Sequence, residues 1–171
     1  LEADGLLERR DRGVYAATAK LLRPRMWIEK TAVSGRAYKQ EGEFALGNAL
    51  WSPQTAANGA RIYESMQDAA VNDLVIHLLQ DKQTFAGVSR ISSDLITSFT
   101  PPENSQWTEA VQTRGGYLRR LDDFAAIQPP LNIERVFDNP KNQEVLDEIR
   151  NNNTNLVYRS DYKLNQGSYL T

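Results

Sequence analysis

The sequence predicts an α+β fold built around a small mixed, barrel-like β-sheet flanked by helices. Three observations lead there. Two apolar runs, residues 73–79 and 85–91, lie on either side of the polar stretch Gln80-Asp81-Lys82-Gln83, the pattern of a buried β-hairpin. Further short strand patterns alternate with helical ones, without the regular strand–helix–strand rhythm of a parallel α/β fold. The 171 residues, 40% hydrophobic and 25% charged, suffice for one domain with a sizeable core.

Taken in order, residues 1–10 have the character of a helix end with Gly5 as its stop, and residues 10–18 read as a strand, a turn at Arg12-Gly13 and a second strand. Residues 19–25 read as a linker broken at Pro24, so residues 1–25 form an N-terminal hairpin and linker, and residues 26–171 the main domain. Residues 26–33 alternate as its first strand, and the polar residues 34–43, with Gly35 and Gly42, form an exposed loop. The mostly apolar residues 44–50 deliver Trp51 into a loop, Trp51-Ser52-Pro53, expected to open toward one end of the hairpin. Asn58-Gly59 marks a turn, and Ile62, Tyr63 and Met66 recur at helical spacing within residues 60–69. Residues 94–104, with Pro101-Pro102, form a surface connection. Gly115-Gly116 precedes a strand that places Tyr117, Arg119 and Leu121 on one face, and residues 124–131 are extended and stopped by two prolines. Residues 132–137 and 140–151 read as helices, the second with Val145, Leu146 and Ile149 as its buried stripe, followed by a loop at 151–153. Residues 156–158 and 167–170 are the closing strands. Because the pattern begins and ends abruptly, the chain is expected to be a piece of a longer protein.

Several function classes are excluded by composition. With no cysteine there is no disulfide and no thiolate metal site, which fits a cytoplasmic location. No apolar run approaches the roughly 20 residues that cross a bilayer, so no membrane partner is expected. A net charge of −2 and a pI near 5.5 argue against a protein that coats nucleic acid nonspecifically, while leaving room for a local basic patch. The single histidine, His77, lies inside an apolar strand and reads as a packed side chain. There is no phosphate-cradling Gly-rich loop, and the adjacent Asp122 and Asp123 point to opposite faces of a strand. No catalytic group, metal or cofactor is therefore assigned, and an enzyme acting alone is not expected.

What remains is aromatic and basic. Trp27, Trp51 and Trp107 each sit beside polar or charged neighbours, either as large core residues or as walls of a cage for a planar base. Ser52, directly after Trp51, carries a hydroxyl and an amide suited to the edge of such a base. Arg36, Lys39, Arg90 and Arg114 lie in or beside loops and either hold phosphates or form a solvated surface, as do Arg61, Arg119 and Arg120.

Certain stretches also carry a resemblance. Trp27-Ile28-Glu29-Lys30, the run from Ala45 through Leu50-Trp51-Ser52-Pro53, the run Asp73 to His77, Phe85 to Ile91, and Asn165 to Thr171 follow one another as in the EVE/YTH-like domains of the PUA superfamily. More narrowly, they look like the N-terminal DNA-reading domains of McrB-type modification-dependent restriction ATPases, and residues 1–20 resemble the tail of a winged-helix domain. The resemblance implies a small β-barrel with a pocket that accepts one modified base. Trp51 matches the first cage tryptophan and Ser52 the base-edge residue after it. Lys30 and Thr31 stand at the end of the first strand, where a base-edge contact is made, and Trp107, or Tyr117 in its place, supplies the second aromatic wall. The function so implied is a noncatalytic reader of double-stranded DNA carrying a methylated base, flipped into an aromatic pocket. Cleavage would fall to other domains or subunits of a restriction complex. An RNA-binding module of the YTH/PUA type and a protein-interaction scaffold are the alternatives.

Overall fold

The computed structural model describes residues 7–11, 14–17, 24–152 and 169–171. The expected Gly5 stop, linker residues 19–23 and the strand at 156–158 lie outside them. The N-terminal hairpin consists of β1 (Leu7–Asp11) and β2 (Val14–Ala17), antiparallel, with Arg9 opposite Tyr15.

A five-stranded mixed sheet forms the main body, its strands being β3 (Met26–Thr31), β4 (Ala49–Pro53), β5 (Leu74–Leu79), β6 (Thr84–Ile91) and β7 (Gly116–Asn132). Their spatial order is β3-β5-β6-β7-β4, with β3 parallel to β5 and every other pair antiparallel. Helices α1 (Ser65–Asp68), α2 (Thr108–Arg114), α3 (Ile133–Phe137) and α4 (Gln143–Asn152) flank it. The class is α+β, as the sequence predicts. The β5–β6 hairpin is the predicted one, and along β6 buried and half-buried residues alternate with the period of two that a pleated strand imposes.

Two local expectations are corrected. Trp51-Ser52-Pro53 is not a loop: it is the second half of β4, opposite Leu118, Tyr117 and Gly116 of β7, and every residue of β4 is buried. Pro53 is tolerated because it stands at the strand's end, where its missing N–H costs little. Likewise, the prolines after Gln128 do not end a strand. The register passes from Gly87 opposite Ala126 to Phe85 opposite Leu131, so Pro129 and Pro130 fall in a bulge where no ladder donor is required. Of the predicted stripe on the last helix only Leu146 is buried, while Val145 and Ile149 are exposed. The helix expected within residues 60–69 shrinks to α1, which still turns Met66 into the core.

The two edge strands, β3 and β4, are joined by the C-terminal segment. Tyr169 and Thr171 run antiparallel along β3, with Lys30 N donating to Tyr169 O (2.8 Å) and Thr171 N to Ile28 O (3.1 Å). Across the gap, the Tyr169 hydroxyl accepts from the Trp51 amide of β4 at 3.2 Å. One tyrosine side chain thus spans the seam of the curled sheet.

Candidate functional site

Beside that seam, at the C-terminal end of β3, lies a cavity of about 230 Å³. Lys30, Thr31 and Ala32 contribute from β3 and its exit, and Arg36 from the following loop. Gln80 comes from the β5–β6 turn, Ile62 and Tyr63 from the segment before α1, Gln106 and Trp107 from the segment before α2, and Tyr169 from the C-terminal segment. Three of these rings stand edge-on to one another: Tyr63 and Trp107 (5.6 Å between centroids, 70° between planes), Trp107 and Tyr169 (5.3 Å, 90°), and Tyr63 and Tyr169 (6.3 Å, 70°). Edge-to-face packing at these separations is direct contact, so it fixes ring orientation and makes the three rings one continuous wall of the cavity.

The polar part of the lining is lopsided. Among the described residues it contains two cationic side chains, Lys30 and Arg36, and no carboxylate. Lys30 is only 3% exposed, and its ammonium meets no hydrogen-bond partner among the described residues. Burial pulls its pKa down to about 8. Arg114, at the end of α2, lies close enough to Tyr63 for its charge to be felt by the phenol, whose pKa is raised by burial and partly restored by that guanidinium.

Of the residues singled out in the sequence, Lys30, Thr31, Trp107 and Arg36 meet at this cavity. Trp51 does not: it is 1% exposed, ringed by Tyr38, Phe44, Phe99 and Trp107 at 5.5–6.4 Å, and so backs Trp107 from within the core. Ser52 is buried with its hydroxyl unpartnered among the described residues, and it too lies off the cavity. Trp27 is held at the opposite end of β3, where its indole donates to Asp73 (2.8 Å) and Arg25 stacks over it. The Tyr117 hydroxyl accepts from Gln67 (2.9 Å). Lys39 is withdrawn from any phosphate: it is 5% exposed and its ammonium is bound to Glu29 at 3.2 Å. Arg90 is paired with Asp123 at 3.7 Å, and the buried Arg119 caps α1 through the Met66 and Gln67 carbonyls. Sequence reasoning did not assign Tyr63, Tyr169, Gln80 or Gln106 to a site. Tyr63 and Tyr169 stand more than a hundred positions apart, and no local pattern links them.

Behind the cavity runs a buried polar network that a lone histidine does not reveal. Glu29 accepts from Lys39, from the Tyr169 hydroxyl (3.0 Å) and from His77 Nδ1 (2.6 Å), and His77 Nε2 lies 2.7 Å from Ser89 Oγ. Burial alone would raise the Glu29 pKa, but the Lys39 charge and the hydrogen bonds outweigh it and hold it at about 2. The same burial, with the Glu29 carboxylate beside it, pushes the Tyr169 phenol well above its ordinary range. Glu29, His77 and Ser89 are each at most 1% exposed, so the Ser–His–carboxylate chain is sealed from substrate in this conformation. Among the described residues no group of metal-ligating side chains occurs, and no helix is long and apolar enough to cross a membrane.

No protein-family model matches the sequence, and no curated protein matches it. Solved structures do. The N-terminal domain of McrB from Staphylothermus marinus aligns at 16% identity over 88% of this chain and 88% of its own, with a TM-score of 0.43. A Rhodopseudomonas palustris protein solved by NMR aligns at 15% identity over 74% of this chain and 80% of its own (TM-score 0.43). The ASCH protein of Zymomonas mobilis aligns at 8% identity over 73% and 95% (TM-score 0.45).

Proposed function

We propose that this chain is a noncatalytic nucleic-acid reader that takes a modified base of double-stranded DNA, flipped from the duplex, into the cavity lined by Trp107, Tyr63 and Tyr169. The observation that carries this reading is the three-ring wall on a space of about 230 Å³ that hydrogen-bonding groups also line. At roughly 30 Å³ per water that is the room of about eight waters. Such a space suits one ring system with a small substituent and falls below the roughly 300–1,000 Å³ of a drug-sized site. Flipping a base costs a few kcal/mol, and stacking on aromatic side chains returns about 1–3 kcal/mol per base. In this reading Trp107 is the principal wall and Trp51 supports it from behind. Thr31 and Lys30 face the base edge, and Arg36 and Arg114 meet phosphates at the rim. As in the restriction ATPases the sequence resembles, the chain would be the cytoplasmic targeting module of a larger complex whose other parts cut DNA.

The test is fluorescence-polarisation binding at one fixed salt concentration, since phosphate contacts are steeply salt-dependent. The panel holds matched duplexes that are unmodified, adenine-methylated, cytosine-methylated and cytosine-hydroxymethylated, with a ribose version of each strand. A modified duplex should bind tightest, and Trp107→Ala should lose about tenfold or more of that affinity in a protein that still melts cooperatively. Equal, weak binding to every duplex, unchanged in Trp107→Ala, would sink the reading, and tighter binding to the ribose strands would move it to RNA.

A further inference from the structure

Resting on that reading, we infer that the base this cavity prefers carries an anion: a pyrimidine-sized ring bearing a carboxylate, of the 5-carboxylcytosine kind, rather than a neutral methyl group. The argument starts from Lys30. A buried ammonium without a partner is costly in any fold, and cations this deeply buried are ordinarily paired. Lys30 is nine-tenths buried and more, lines the cavity, and has no hydrogen-bond partner among the described residues. The nearest acid in sequence does not serve it. Glu29 precedes it on β3, and successive strand residues point to opposite faces, so the Glu29 carboxylate turns inward to Lys39, His77 and Tyr169. That leaves Lys30 and Arg36 as the charged groups of the lining, with Tyr63 and Tyr169 as its other titratable ones; Gln80, Gln106 and Thr31 are neutral. Arg114 adds a third cation next to Tyr63. A site with cations and, among the described residues, no acid, inside a chain of net charge −2, favours negative charge.

A neutral methylated base would fill the aromatic space and leave the ammonium stranded in a pocket now closed to water. The Lys30 ammonium is buried beside the cavity, and a carboxylate on the same ring would accept from it once the flexible stem swings toward the ligand; charge-assisted bonds are the strong ones. The ring supplies what a bare inorganic anion lacks, which is a flat face to lie against the aromatic wall at Trp107. The ammonium sits near its midpoint of about 8, so an entering carboxylate would favour the protonated form.

The experiment compares parent protein and Lys30→Met on four duplexes, identical except for one central base: cytosine, 5-methylcytosine, 6-methyladenine or 5-carboxylcytosine. Free orotate, a pyrimidine carboxylate, is a fifth probe that separates a base in DNA from a free heterocycle. The carboxylated duplex should bind about ten- to hundredfold tighter than the methylated ones, the range set by one or two hydrogen bonds to a charged group. Lys30→Met should erase that advantage, so that the carboxylated duplex binds the variant no tighter than the methylated ones. In the parent the advantage should also fade as pH rises through about 8 to 10, a check that needs no variant to fold. Equal or tighter binding of a methylated duplex would overturn the inference and leave the reader intact, as would a carboxylate preference that survives Lys30→Met. Orotate bound through Lys30 with no duplex bound would keep the anionic ring and overturn the DNA reader. Binding of none of the five would overturn both.

Discussion

Removing the Lys30 charge should stabilise the protein. The folded state holds this ammonium at a pKa of about 8 against an ordinary value of 10.5, so the fold works against its protonation. At about 1.4 kcal/mol per tenfold, the difference sets a ceiling of about 3 kcal/mol. The ammonium is buried but the residue lines a cavity open to solvent, and screening from that side reduces the figure to about 1–2 kcal/mol. Methionine keeps the length and flexibility of the stem, so Lys30→Met removes the charge without opening a hole. For a domain of this size about 2–4 °C accompanies each kcal/mol, giving an expected rise of about 2–8 °C in melting temperature at pH 7. The pH dependence fixes the origin. Because the folded pKa is the lower one, the unfolded chain binds more protons between about pH 8 and 10.5, and the parent gains stability across that window. The gap between parent and variant should therefore narrow toward pH 10 in thermal melts followed by circular dichroism. A variant that melts at or below the parent's temperature, or a gap that does not change with pH, would refute the argument and make Lys30 an ordinary structural residue.

Trp51→Ala should cost about 3–5 kcal/mol, read as a lowered urea midpoint, since the ring is fully buried among four other aromatic residues; a near-neutral result would mean that the ring is not core. Glu29→Gln should cost about 3–5 kcal/mol at pH 7 because it leaves the Lys39 ammonium buried without its anion. In the parent, the stability that Glu29 contributes is fully present above about pH 4.5 and is lost as pH falls toward its folded value of about 2, so the stability of Glu29→Gln should depend less on pH across that acid range.

How much of this was legible in the sequence depended on whether the controlling partners were local. The β5–β6 hairpin was readable because the period of two along residues 84–91 and the four polar residues between the runs act over short range. Trp51 was misplaced for the converse reason. Its neighbours Asn48 and Ser52 suggested a surface, yet Ser52 is itself fully buried because β4 is covered on both faces. Pro53 suggested a loop, and only the position of β4 at the sheet edge makes a terminal proline harmless. Lys39 read as a loop cation, and nothing within ten residues of sequence says that a turn of the chain carries it inward to Glu29. The cavity was half visible: Lys30, Thr31, Arg36 and Trp107 were named, but Tyr63 and Tyr169 join them only once the C-terminal segment is laid along β3.

The placement of Tyr169 links the cavity to the buried charges. Its ring forms a wall, while its hydroxyl donates to Glu29 and accepts from the Trp51 amide. Glu29 accepts that bond best as a carboxylate, and it stays ionised because Lys39 and the His77 hydrogen bond outweigh its burial. The orientation of an aromatic wall is thus set by an ion pair that no ligand touches. Rigid support of this kind reduces the ordering cost that binding would otherwise carry. The two faces of β3 therefore differ: Glu29 faces inward and holds the wall, and Lys30, one residue on, lines the cavity. Glu29→Gln should then weaken base binding through Tyr169 even where the protein remains folded, whereas Lys30→Met should change which base is preferred while leaving the wall in place. A matched loss of affinity for all duplexes in the first variant, against a selective loss in the second, is the pattern this division predicts.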